Sequence, residues 1–129
     1  MPGPTRFGYI LFPAFELLDV TGPLDVLNVL ARNYTLSLSL IAETLDPVTT
    51  QLKMPTPGNS TFGEKIVPTH TFATAPELDV LFVPGGAGTR SPNMTSTIEF
   101  VRERYPGLKY LVTVCTGKTS LFTISKFSN

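Results

Sequence analysis

The sequence predicts an α/β fold in which a mostly parallel, doubly wound sheet carries helices on both faces. Three short apolar segments, at 7–12, 79–83 and 110–114, read as strands, and segments with helical spacing of apolar residues lie between them. Their apolar runs are continuous, which is typical of parallel strands buried on both faces. The alternation of such strands with helices favours the doubly wound arrangement.

The first strand, at 7–12, is ended by Pro13 and followed by a short apolar connector. A helix then opens near Asp19, with Thr21 as its N-cap and Pro23 in its first turn, where a missing N–H costs nothing. Apolar residues recur at helical spacing to about Arg32. Residues 34–42 alternate apolar and hydroxylated side chains and predict a strand with one better-buried face, which completes a right-handed βαβ unit.

The middle of the chain is less regular. Residues 48–53 and 65–67 predict two short strands that form a hairpin at the edge of the sheet, and 71–76 predict an irregular lead-in to the next strand. After the strand at 79–83, Ser91 or Asn93 can cap a helix that ends near Pro106.

Composition limits the choice of function. The 129 residues suit a single domain, assigned to 7–129 with a disordered tail at 1–6. Ten basic and ten acidic residues balance, and no basic run is present, so neither nucleic acid nor a membrane surface is expected as a partner. No segment predicts a signal peptide or a membrane span. The single cysteine fits a reducing compartment, and we expect a cytoplasmic protein.

The only cysteine, Cys115, directly follows the third apolar strand and precedes Thr116 and Gly117, which predict a tight turn into a helix. A thiol at such a corner lies near helix N-terminal amides, whose partial positive charge stabilises a thiolate. Free cysteines are also among the most buried residues in proteins. The segment by itself leaves both interpretations open, a nucleophile or a structural core cysteine.

Two further segments end at the same predicted edge of the sheet. Asp19 follows the first strand, where its carboxyl group can take the thiol proton or merely favour a helix N-terminus. The loop at 84–88 is rich in glycine, and its backbone amides can either stabilise a developing negative charge or form a plain turn. The dinucleotide-binding fingerprint Gly-x-Gly-x-x-Gly begins at Gly86 but does not match, because Ser91 stands where its last glycine is required. A phosphate-binding loop that ends in Gly117-Lys118-Thr119 does not match either, because Val112 stands where its first glycine is required.

His70, the only histidine, lies in the irregular middle region and is expected to be a solvated loop residue. A dyad with Cys115 is the alternative. One histidine and one cysteine do not make a zinc site, so the sequence predicts neither a metal nor another cofactor.

Three blocks, at 17–26, 79–86 and 112–117, together resemble the ThiJ/PfpI superfamily, a flavodoxin-like branch related to class I glutamine amidotransferases. The Leu-Asp-Val-Thr-Gly-Pro sequence at 18–23 is similar to the isonitrile-hydratase-like subgroup. The resemblance implies a flavodoxin-like sheet, a homodimer and a cysteine-dependent hydratase or hydrolase that acts on a small electrophilic molecule. It implies Cys115 as nucleophile and Asp19 as its acidic partner, with backbone donors at Gly86 and Thr116 and supporting roles for Gly85, Gly117 and Thr21.

The chain departs from the superfamily after Gly117. Residues 118–129 are rich in Ser, Thr and Lys and lack the small-residue helix that the superfamily has there. We therefore expect the C-terminal part of the fold to be missing. One hypothesis is that this tail is read from an unspliced intron after Gly117, and a native tail is the alternative. Two other functions stay open: a glyoxalase-like or amidase-like enzyme that uses the same cysteine, and a non-catalytic sensing or degenerate domain.

Overall fold

The computed structural model describes residues 3–115, and within them the chain forms seven strands and two α-helices. In chain order they are β1 (Arg6–Ile10), α1 (Leu17–Leu30), β2 (Ser37–Ala42), β3 (Val48–Thr49), β4 (Lys65–Ile66), β5 (His70–Thr71), β6 (Val80–Val83), α2 (Thr95–Arg104) and β7 (Tyr110–Thr113). Short 3₁₀ turns precede and follow α2.

Five of these strands form one parallel sheet in the order β5-β2-β1-β6-β7. The chain moves from β1 to β2 in one direction and from β6 to β7 in the other. Right-handed crossovers in opposite directions place α1 and α2 on opposite faces of the sheet. The predicted parallel flavodoxin-like sheet with helices on both faces is therefore confirmed. Its topological switch point lies between β1 and β6.

The two faces of the sheet are covered unequally. One face is fully buried along its central strands, and its members are Gly8, Ile10, Ser39, Ile41, Leu81 and Val83. The other, which we call the α1 face, leaves Leu38 41% and Tyr110 60% exposed. The prediction that residues 110–114 are buried on both faces is therefore wrong. In β2 the better-buried face is that of Ser39 and Ile41.

Helix α1 begins at Leu17, four residues before the predicted N-cap. Glu16 occupies the N-cap position, and its side chain caps nothing. Thr21 instead donates from Oγ1 to the Leu17 carbonyl at 3.0 Å, and Pro23 lies inside the helix. The predicted boundary is wrong because a long-range bond, from the Glu16 amide to the Gly85 carbonyl at 2.9 Å, holds the helix start.

The middle region forms the predicted hairpin, but the hairpin is not at the edge of the main sheet. Strands β3 and β4 pair antiparallel as a separate two-stranded sheet. The edge of the main sheet next to β2 is formed instead by β5, which lies in the region that the sequence predicts to be irregular. Thr69 anchors it, since its amide donates to the Leu40 carbonyl at 2.8 Å and its hydroxyl accepts from the Leu40 amide at 2.9 Å. Ser91 accepts from the Asn93 amide and caps the 3₁₀ turn Pro92–Met94. Helix α2 itself has Met94 at its N-cap position without a side-chain bond, so the predicted helix cap at Ser91 or Asn93 is wrong.

At the amino ends of the strands, the buried carboxylate of Asp79 joins β1 to β6. It accepts from the Thr5 and Arg6 amides at 3.0 Å each, and the Arg6 guanidinium donates to both of its oxygens. The Asp79 carbonyl accepts from the Lys109 and Tyr110 amides, so β7 is tied to the same point. Strand β1 begins at Arg6. The division of the chain into a disordered tail at 1–6 and a domain at 7–129 stays a prediction. No helix among the described residues is long and apolar enough to cross a membrane.

The Arg6 side chain and the two backbone amides hold the pKa of Asp79 well below its ordinary range. A carboxyl group with a lowered folded-state pKa stabilises the protein above its unfolded-state pKa of about 3.9, and this stability is lost as the pH falls. We expect the free energy of unfolding to drop between about pH 5 and pH 3, and the drop to be much shallower in Asp79→Asn. Denaturant titrations at stepwise pH measure this. Asp46→Asn, in an exposed loop, is the control and should keep the wild-type slope; equal slopes in all three proteins would contradict the assignment.

Candidate functional site

The candidate site lies at the carboxyl ends of β1, β6 and β7, beside the topological switch point, where open α/β sheets bind ligands. Asp19 follows β1, Gly85 follows β6 and Cys115 follows β7. The Val114 amide donates to the Val83 carbonyl at 3.0 Å and extends the pairing past Thr113. Cys115 therefore lies beside the glycine loop that begins at Pro84.

The backbone N–H and C=O groups of Gly85 are both hydrogen-bonded to the start of α1. Its N–H donates to the Asp19 carboxylate at 3.0 Å, and its carbonyl accepts from the Glu16 amide at 2.9 Å. Asp19 lies in the first turn of α1, where a negative charge interacts favourably with the positive end of the helix dipole. Its carboxylate nevertheless reaches across to another loop, so Asp19 does more than favour its own helix.

The glycine loop touches the connector after β1 so closely that side chains are excluded. A Cβ on Gly86, which has φ +123°, would lie 2.5 Å from the Ala14 carbonyl oxygen and 2.6 Å from the Glu16 nitrogen. A Cβ on Gly88 would lie 2.0 Å from the Pro13 carbonyl oxygen. Glycine is required at both positions because backbone approaches backbone there.

Ala14 lies where three segments of the chain meet. Its amide donates to the Thr49 carbonyl of β3 at 2.9 Å, and its carbonyl accepts from the Gly88 amide at 3.0 Å. These two bonds hold it at φ +64°, a left-handed conformation that is costly for a residue with a Cβ. The hairpin, the connector and the glycine loop are thereby fixed to one another beside the site.

Cys115 is exposed, and its backbone has φ +55°. The structure thus disfavours a structural core cysteine and favours an accessible thiol. Left-handed conformations of non-glycine residues cost about 1–2 kcal/mol and are found disproportionately at functional sites. Within residues 3–115, the Asp19 carboxylate bonds to the Gly85 amide, and no hydrogen bond joins it to the Cys115 thiol.

Tyr9 is a site-supporting residue that sequence reasoning missed. Its side chain is completely buried, and its hydroxyl donates to the backbone carbonyl of Asp19. Burial, reinforced by the nearby Asp19 charge, raises the pKa of Tyr9, so the hydroxyl keeps its proton at any physiological pH. A signal was present in the sequence, since a proline four residues after Asp19 leaves that carbonyl without its helical donor.

Thr116 and Gly117 lie outside the described residues. His70 is a half-buried strand residue rather than a solvated loop residue, with Nδ1 2.8 Å from the Thr69 hydroxyl. It belongs to β5, four strand spacings from β7, which amounts to about 19 Å and rules out a dyad with Cys115. No three His, Cys, Asp or Glu residues in the described part cluster as metal ligands.

Comparison with known proteins agrees with this arrangement. Residues 7–128 match the DJ-1/PfpI family. The chain belongs to the DJ-1/PfpI family. Isonitrile hydratase of Pseudomonas putida is 38% identical over 118 residues, which are 90% of this chain and 46% of that protein. The chain therefore spans about half the length of this DJ-1/PfpI relative.

Solved structures show the same fold at lower identity. An AraC family transcriptional regulator from Pseudomonas putida superposes with a TM-score of 0.70 at 24% identity, covering 95% of this chain and 62% of the regulator. A DJ-1 superfamily protein from Agrobacterium tumefaciens superposes with a TM-score of 0.60 at 18% identity, covering 97% of this chain and 61% of that protein. Together they support the flavodoxin-like DJ-1 fold.

The close approach at Gly88 predicts opposite effects for two glycine substitutions. Gly88→Ala should lower the free energy of unfolding by about 1–3 kcal/mol or more, because the new methyl group meets the Pro13 carbonyl. Gly22→Ala, in α1 with nothing within 4 Å of the added Cβ, should raise it by about 0.5–1 kcal/mol. Urea titrations measure both. A Gly88→Ala protein as stable as Gly22→Ala would show that the loop contact is absent.

Proposed function

We propose that this chain carries the reactive half of a cysteine-dependent hydratase that acts on a small isonitrile. The meeting of Asp19, Gly85 and Cys115 at the switch point carries the proposal, because an exposed thiol, a carboxylate and a glycine loop converge there. The 38% identity to isonitrile hydratase supports the substrate class. The same proposal places the protein in the cytoplasm, where a thiol stays reduced.

In this mechanism the Cys115 thiolate attacks the isocyano carbon, forming an S–C bond, while a proton delivered by Asp19 goes to the same carbon. The product of this step is a thioimidate. Water then adds to the carbon: its oxygen forms the new C–O bond, and one of its protons passes through Asp19 to the nitrogen. The S–C bond breaks as the hydroxyl proton goes to Asp19 and the C=O bond forms. The thiolate leaves, an N-substituted formamide is released, and both Asp19 and Cys115 return to their starting protonation states. The overall reaction adds one water molecule to the isonitrile to give the formamide, with no redox change.

Asp19 suits the role of proton carrier because its carboxylate is half-buried and oriented by the Gly85 amide. General acid–base help of this kind contributes about a hundredfold or more to a rate. We assign stabilisation of the developing negative charge to the backbone amides of Gly86, in the glycine loop, and of Thr116, the residue after Cys115. The Gly85 amide is already bonded to Asp19, so it supports the geometry rather than the reacting atoms.

Two substitutions test the chemistry. Cys115→Ala should abolish conversion of an alkyl isocyanide to its formamide, and Asp19→Asn should lower kcat by about a hundredfold while keeping an oxygen for the Gly85 amide. Asp25→Asn, the same change nearly two turns further along α1, should leave kcat unchanged. Product formation followed by chromatography measures all four proteins. Activity retained in Cys115→Ala would exclude this mechanism.

Thiol reactivity separates an enzyme from a non-catalytic domain. An activated Cys115 should react with iodoacetamide at pH 7 about tenfold faster than the thiol of glutathione does. A rate equal to that of glutathione would favour the degenerate domain. A fast thiol without isonitrile turnover would favour the glyoxalase-like or amidase-like alternative, which a panel of aldehydes and amides would identify.

We also propose that two copies of the chain pair through α1. The outward side of this helix exposes Val26 by 63% and Val29 by 52%, and these two apolar side chains, one turn apart, are the surface that a second copy would cover. Val26→Lys should shift the sedimentation coefficient from dimer to monomer, because it introduces a charge on that surface. Asn28→Lys adds the same charge elsewhere on the helix and should remain dimeric. A monomeric wild-type protein would contradict the proposal.

A further inference from the structure

The backbone carbonyl of Asp19 has an unusual partner. Inside an α-helix this carbonyl would accept from the amide four residues later, but that residue is Pro23, which has no N–H. The hydroxyl of Tyr9 donates to it instead. Two needs are met by one bond, since a buried phenol requires an acceptor and a buried carbonyl requires a donor.

The position of the Tyr9 hydroxyl is fixed by its surroundings. Tyr9 lies in the central strand β1, and its ring stacks on Phe82 of β6 with the centroids 4.8 Å apart and the planes 7° apart. Its side chain is 0% exposed. Because both the backbone and the ring of Tyr9 are constrained, the first turn of α1 is located relative to the sheet by this hydroxyl.

We propose that Tyr9 is a positioning residue for the candidate active site. Its hydroxyl holds the backbone of Asp19, and the carboxylate of the same residue then meets the Gly85 amide beside Cys115. Pro23 completes the device by removing the competing helical donor. The catalytic meaning of this device rests on the function proposed above, whereas the geometry can be measured without it.

Amide hydrogen exchange of Gly85, followed by NMR, reports directly on the Asp19 carboxylate. Tyr9→Phe removes only the hydroxyl and should speed exchange at Gly85 by about fivefold to tenfold. Tyr34→Phe, at an exposed tyrosine, is the matched control and should leave that rate unchanged. Asp19→Ala removes the carboxylate altogether and therefore sets the upper limit of the Gly85 exchange rate. Wild-type exchange at Gly85 in Tyr9→Phe would overturn the proposal, as would an Asp19→Ala protein with no increase.

A double-mutant cycle with Pro23→Ala tests the part assigned to the proline. The substituted alanine supplies an amide to the Asp19 carbonyl, so Tyr9→Phe should have a much smaller effect on Gly85 exchange in this background than in the wild type. An equal effect in both backgrounds would show that the hydroxyl acts through some other contact and would overturn the proposal.

Turnover provides a second readout. Tyr9→Phe should lower kcat for isonitrile hydration by about fivefold to tenfold with KM unchanged, because Asp19 is displaced from the reacting atoms rather than from substrate binding. Unchanged kcat despite faster Gly85 exchange would overturn the catalytic part of the proposal. A wild-type protein with an inert Cys115 but a Gly85 response to Tyr9→Phe would instead disprove the proposed function and leave the positioning of Asp19 established.

Discussion

The geometry of the candidate site depends on the backbone of Gly85 and the two hydrogen bonds that fix it to the start of α1. One bond fixes where the helix begins, since it satisfies the Glu16 amide, and the other orients the Asp19 carboxylate. Both require the glycine loop to approach the connector after β1 at backbone contact, which only glycine at 86 and 88 allows. Helix start, carboxylate and loop are thus a single mutually dependent unit.

The two ends of the sheet are fastened by different means. At the amino ends, one buried carboxylate gathers two backbone amides and a guanidinium, an arrangement built for stability. At the carboxyl ends, the contacts are mainly between backbones, and two residues with side chains, Ala14 and Cys115, are held in left-handed conformations. Two of the three left-handed non-glycine residues in the described part of the chain, with Asn59 between β3 and β4 as the third, therefore lie at the end where ligands bind in such folds.

Much of this arrangement could be predicted from local pattern. Continuous apolar strands and the spacing between them indicate the parallel sheet, and the residues that follow strand ends indicate Asp19, the glycine loop and Cys115. Contacts between distant segments could not be predicted. The start of α1 is displaced from Thr21 to Leu17 by a bond to Gly85, far beyond Glu16 along the chain, and β5 forms because Thr69 meets Leu40. In the sequence, Tyr9 cannot be told from an ordinary strand residue, because its hydrogen-bond partner is a backbone atom of another element.

The unequal covering of the sheet affects how the chain can vary. On the buried face, a Cβ added at Gly8 would lie 2.6 Å from the Cδ1 atom of Leu78, so the Leu78 side chain would have to move. Substitutions there disturb a close-packed interior. Leu38 and Tyr110, on the α1 face, already touch water, so polar replacements cost little. Neutral drift should therefore concentrate on the α1 face of the outer strands β2 and β7, and not at Tyr9, which is completely buried on the same face of the central strand.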